Sequence, residues 1–171
     1  MIDDTQAGDR ADILDILTLH RGFFRRTVDG LTDEQARLTP TVSALCLGGL
    51  IKHVSHVEDT WARFIVDGPA SQGPPDEAAY ARHAAGFRMD EGETLAGLLA
   101  AYDEVAARTD ALVTALPSLD ASQALPEAPW FPPNKRWSAR RVFMHIVAET
   151  AQHAGHADII RETIDGAKTM G

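Results

Sequence analysis

Glu149 and His153 stand four residues apart in the run Glu149-Thr-Ala-Gln-His153, inside an otherwise apolar stretch near the C-terminus. On an α-helix such a pair shares one face, so a carboxylate oxygen and an imidazole nitrogen are offered to the same point in space. His53 occupies a second stretch of this kind far upstream. If the two helices face each other, the set is His, Glu, His: three protein ligands that leave a coordination position open on a divalent metal such as Zn²⁺ or Ni²⁺.

Helix phase separates candidate ligands from bystanders, because each residue turns the direction by roughly 100°. Around the stripe Leu47, Leu50, Ile51, Val54, Val57, Trp61, Phe64 and Ile65, His53 falls about 90° from the core direction and His56 about 150°, so His53 sits at the core boundary and His56 faces water. Around Val142, Phe143, Ile146, Val147, Ala157, Ile160 and Ile164, His153 deviates by about 30°, Glu149 by about 70°, His156 by about 90° and His145 by about 110°. An inward carboxylate is costly unless it is paired or binds a metal. The competing arrangement pairs Glu149 with Arg161 or Arg25 and leaves His153 as a hydrogen-bonded core residue.

Cys46 shares the face of His53, but seven residues at about 1.5 Å each put it about 10 Å along the axis, too far for the same ion. It is expected to pack; Trp61, Trp130 and Trp137 could line a pocket, but are expected to pack as well, since aromatic residues of a small core usually do. A single cysteine excludes an intramolecular disulfide and suits a reducing compartment. No glycine-rich phosphate loop and no Ser-His-Asp arrangement is visible.

The elements that must position these residues are helices. Asp9 to Asp29 has helical periodicity and Gly30 stops it; Thr32 to Gln35 reads as a capping box opening a short helix. A second long helix is expected from about Ser43 to Val66, ended by Gly68-Pro69, and a third from Glu93 or Thr94 to Leu116, ended by Pro117. The segment from Gly68 to Gly92 reads as a crossover: Gly73-Pro74-Pro75 forbids regular structure and Asp76 to Tyr80 permits one short helix. After a loop from Ser118 to Trp137, Ser138 caps a fourth long helix to Asp165, with Gly166 beyond its end. No β-type alternation persists. The expected fold is all-α, an antiparallel four-helix bundle with long crossover loops, in one domain spanning residues 1–171.

A formal net charge of −9 disfavours nucleic acid and anionic membranes as partners and leaves a small molecule. The one basic cluster is Lys135-Arg136 with Arg140-Arg141, most simply a solvated face. The first residues carry no leader pattern and the longest low-polarity run, Ala44 to Ile51, is too short for a bilayer, so a cytoplasmic protein is expected.

The stretches Leu47-Gly-Gly-Leu-Ile-Lys-His53-Val-Ser-His-Val-Glu58-Asp-Thr-Trp61 and His145-Ile-Val-Ala-Glu149-Thr-Ala-Gln-His153-Ala-Gly-His156-Ala-Asp-Ile-Ile-Arg161-Glu, closing on Ile164-Asp-Gly166, resemble the DinB/YfiT-like superfamily. Its members are four-helix bundles that bind a divalent metal through a histidine on the second helix and an H-x-x-x-H pair on the last. Here Glu149 replaces the first histidine of that pair, as in the similar mycothiol-dependent maleylpyruvate isomerase branch. The resemblance implies His53, Glu149 and His153 as ligands, a zinc-type site and a homodimer. It leaves His156, Glu58, Arg140, Arg141 and Arg161 as candidates to support the ligands or meet substrate. The expected activity is a metal-dependent enzyme that activates a low-molecular-weight thiol for S-transfer or water for hydrolysis. The alternative is a non-catalytic bundle binding a metal or small ligand in stress response or regulation.

Overall fold

The computed structural model describes residues 4–73 and 76–169, and the chain is mostly helical, at 67%. The helices are α1 (Asp4–Arg26), α2 (Asp33–Arg37), α3 (Leu47–Asp67), α4 (Glu77–Ala85), α5 (Leu95–Ala115) and α6 (Ala139–Asp165), with a 3-10 turn at Gly68–Gln72. Two short strands, β1 (Ser122–Ala124) and β2 (Arg136–Ser138), pair antiparallel with Ser122 opposite Ser138.

Most boundaries follow from local hydrogen bonding. Thr32 and Gln35 form the reciprocal capping box of α2, Thr94 caps α5 and Ser138 caps α6. Gly166 ends α6 in the left-handed conformation, φ +79°, where its N–H reaches the Glu162 carbonyl. Expectation fails at the start of α3: Cys46, rather than Ser43, is its cap, with the thiol sulfur accepting from the Gly49 N–H at 3.4 Å. The cysteine therefore both packs, at 3% exposure, and opens the helix. The hairpin was also unforeseen, and α4 outlasts the short helix foreseen in the crossover; residues 74 and 75 of the expected Gly-Pro-Pro break lie outside those described.

Two apolar clusters fix how the long helices lie. One joins Phe24 near the end of α1, Leu47 and Leu50 at the start of α3, Tyr102 of α5 and Ile160 near the end of α6. The other joins Leu17, Phe64 from the end of α3, Val113 from the end of α5, and Phe143 from the start of α6. Hence α1 and α6 run one way and α3 and α5 the other. α6 packs on α1 and α3, and α3 also packs on α5. Because α3 and α5 are parallel, the chain between them must return along the length of the pair, and α4 lies on that return. Where it meets α3 the backbones are very close: a Cβ on Gly49 would overlap the Phe87 carbonyl, and one on Gly48 would overlap the Met89 side chain. Those two glycines let the 86–89 segment lie against the helix that carries His53.

Candidate metal centre

The contact between α3 and α6 brings the predicted trio together. His53, Glu149 and His153 each offer a ligand atom, and these atoms all lie within 4.8 Å of one another. His53 is 4% and His153 8% exposed, and their ring centroids are 4.8 Å apart. His53 is more deeply buried than its phase on the helix implies, because Phe87 covers it: the rings are stacked at 3.9 Å with 23° between planes.

The ion-pair account of Glu149 does not hold. Arg25 is bonded to Asp103, and Arg161 to Asp165 and the Thr27 and Asp29 carbonyls. The carboxylate instead faces two imidazoles, with His145 Nε2 3.7 Å from Oε1 and His153 Nε2 3.7 Å from Oε2. The other ring nitrogen of His153, Nδ1, is 3.3 Å from His156 Nδ1. With His153 Nδ1–H as the donor to His156 Nδ1, Nε2 of His153 is left with its lone pair, the usual support of a ligating histidine.

Charge also suits a cation. Burial, then the neighbouring imidazoles of His153, His83 and His56, pushes the His53 pKa down to about 3. Burial and Arg141 push His145 to about 4, and burial and His156 lower His153. At neutral pH these rings are uncharged and hold free lone pairs, the form a metal takes. Burial raises the pKa of Glu149, against a smaller opposing effect of His83. Two neutral imidazoles and a carboxylate without an arginine partner form a donor set that fits a borderline divalent ion.

Of the further candidates, only His156 lies beside the trio. Glu58 is fully buried and bonded to Arg21, and Arg140 is bonded to Asp9 and Asp120. The Arg141 guanidinium lies over the Trp137 ring, 4.2 Å from its centroid. His56 is exposed, as the helix phase predicts.

The trio opens on a cavity of about 820 Å³, within the range of small-molecule sites. Trp61, Trp130 and Trp137 all line it: Trp61 packs in the core as expected and Trp137 packs against that cluster, while Trp130 is exposed. The reading of the sequence also missed His83, Tyr80 and Phe87, which the crossover brings to the cavity, and His145, whose ring meets Trp61 edge-on at 4.9 Å. One signal was available: Tyr80, His83 and Phe87 are spaced i, i+3, i+7, as on one helical face.

A family model described as mycothiol-S-transferase matches residues 12–166. The chain belongs to the mycothiol S-transferase family. With it comes membership of the DinB/YfiT-like superfamily. The matched range holds the whole His53, Glu149, His153 cluster and every tryptophan of the cavity. No curated protein matches the chain.

Proposed function

We propose that this chain is a single-domain four-helix-bundle enzyme that transfers a low-molecular-weight thiol, mycothiol, to a small electrophile, with a divalent metal held by His53, Glu149 and His153. In the bundle the parallel pair α1 and α6 runs against the parallel pair α3 and α5, rather than each helix against its neighbour as expected. The observation that carries the reading is an arginine-free His, Glu, His cluster on the wall of a cavity large enough for a small-molecule substrate; the family adds the thiol. Zn²⁺ suits the donor set first and Ni²⁺ second. When bound, such an ion lowers the pKa of a thiol and supplies a nucleophile at neutral pH.

The chain does the rest. His156 orients His153, and Phe87 holds the plane of His53. Glu149 brings one negative charge to the site. His83, with its ring 5.4 Å from that of His53, receives the thiol proton on a ring nitrogen and passes it to solvent, being exposed. The apolar faces of Trp61 and Trp137 keep water from the sulfur, where it would otherwise hydrate the nucleophile or compete with it.

The test is metal analysis of the purified protein, followed by loss of free mycothiol in the presence of an electrophile, with and without chelator. Chelator-sensitive thiol loss is expected. Electrophile consumed without thiol would make the enzyme a hydrolase, and bound metal with no consumption of either would leave a binding protein.

A further inference from the structure

Phenylalanines and Tyr102 fill the core, but the tryptophans of this chain gather elsewhere. All 3 tryptophans and one of the 2 tyrosines line a single cavity. They arrive from four separate segments: Trp61 on α3, Tyr80 on α4, Trp130 with Phe131 on the loop after β1, and Trp137 on β2. Trp61 and Trp137 are stacked at 4.9 Å with 24° between planes, and Phe131 stands edge-on to both.

Packing explains that inner group but not Trp130 and Tyr80. They are 60% and 51% exposed, and they meet each other edge-to-face at 6.4 Å beside the cavity. Exposed indole and phenol faces gain free energy when a flat apolar body covers them. The charge around them narrows what that body is. The lining carries both signs, Arg63 paired with Asp59, and Arg82, against Glu127 and Glu149, and the Arg141 guanidinium already occupies a face of Trp137, so the body is one that meets a guanidinium without being a cation itself. An indole face is electron-rich and stacks best on an electron-poor ring, and guanidinium groups favour the nitro, carbonyl or carboxylate substituents that make a ring electron-poor.

We propose that the second substrate is an electron-poor planar arene bearing a leaving group, stacked on the exposed rings of Tyr80 and Trp130 beside the inner pair Trp61 and Trp137. This rests on the thiol-transfer reading. The electron deficiency that favours stacking on indole is also what opens a ring carbon to a thiol. The sulfur lone pair forms the C–S bond at that carbon, the bond to the leaving group breaks and its pair departs as the anion, and the thiol proton goes to solvent. No oxidant or reductant enters.

The test uses mycothiol with two electrophiles, 1-chloro-2,4-dinitrobenzene and iodoacetamide, on the metal-loaded protein. Separately, binding of unreactive 2,4-dinitroaniline is followed by quenching of tryptophan fluorescence without thiol. Trp130→Ala and Tyr80→Ala change exposed side chains and spare the core. Each is expected to lower the ratio of kcat/KM for the arene over iodoacetamide by about tenfold, the loss of one aromatic contact, and Tyr80→Ala to weaken dinitroaniline binding by a similar factor. A ratio unmoved in both variants, with iodoacetamide still consumed, overturns the aromatic subsite and leaves thiol transfer standing. Dinitroaniline binding that weakens in Tyr80→Ala, with neither electrophile consuming thiol, keeps the subsite and overturns the transfer reading. No quenching by dinitroaniline in the parent protein overturns the proposal outright.

Discussion

Replacing Glu58 by Ala separates a structural carboxylate from a chemical one. Glu58 lies on α3 five residues after His53, yet its side chain is fully enclosed and takes two hydrogen bonds from Arg21, at 3.2 Å from Nε and 2.5 Å from Nη2. Arg21 is itself only 6% exposed. Removing one partner of a buried pair costs about 3–5 kcal/mol, because the other charge stays buried without compensation. Here the lower end applies, since Arg21 keeps Asp110 at 2.8 Å, although that carboxylate is 39% exposed and more weakly felt. A loss of about 3 kcal/mol in a chain of this length lowers Tm by roughly 6–12 °C. The double variant Arg21→Met/Glu58→Leu removes both charges, leaves only the half-exposed Asp110 without its partner, and should recover most of that loss. Melting by circular dichroism, with metal content and thiol consumption measured well below each Tm, provides the assay. Glu58→Ala melting within about 2 °C of the parent would refute the energetic argument. A double variant as stable as the parent but inactive would show that Glu58 serves the chemistry after all.

The other expectations concern the cluster itself. His153→Ala should lose the metal and keep its helical circular dichroism, since the two apolar clusters do not include the ligand trio; joint loss of metal and fold would make the ion structural. His53→Ala should weaken metal binding by more than about 100-fold, beyond the usual effect of a supporting residue, and His56→Ala by much less; equal losses would overturn the assigned ligand. Glu149→His should retain metal and shift the pH profile of turnover to lower pH, because the site loses a negative charge, whereas Glu149→Ala should bind metal weakly; unchanged metal content in both would remove Glu149 from the ligand set. In metal-stripped protein, burial holds the folded pKa values of His53 and His145 near 3 and 4, below the ordinary 6.5. Their uncharged rings therefore contribute stability that is complete above pH 6.5 and is lost as pH falls toward the folded values, about 2.5 kcal/mol per group by pH 4.5. Tm should fall accordingly between those pH values, and His53→Gln should flatten the dependence.

Elements closed by local hydrogen bonds were legible, and those closed by distant ones were not. Ser138 and Gly166 bracket α6 because a hydroxyl and a left-handed glycine act within their own turn. The start of α3 was misplaced because its cap is a thiol, a weak acceptor that stands outside the usual N-cap residues. Strands three residues long carry too little alternation to read, and this hairpin is set by contacts far along the chain, such as the Gln123 side-chain amide on the Ile65 carbonyl and the Arg140 N–H on the Leu119 carbonyl.

The same division runs through the site. Glu149 and His153 share a face because a helix repeats every 3.6 residues wherever it lies, so their pairing and the choice of His53 over His56 could be computed from position alone. The aromatic wall has no such intrinsic clock: its members come from α3, α4, the β1–β2 loop and β2, and only the completed fold brings them together. Gly48 and Gly49 connect the two. In the sequence they are part of a low-polarity run, yet their missing side chains admit the Phe87 backbone to α3, and that approach seats a ring on His53. The crossover that closes one side of the cavity is thus anchored at His53 itself, so the segment carrying Tyr80 and His83 is placed by the same contact that holds the His53 imidazole in plane.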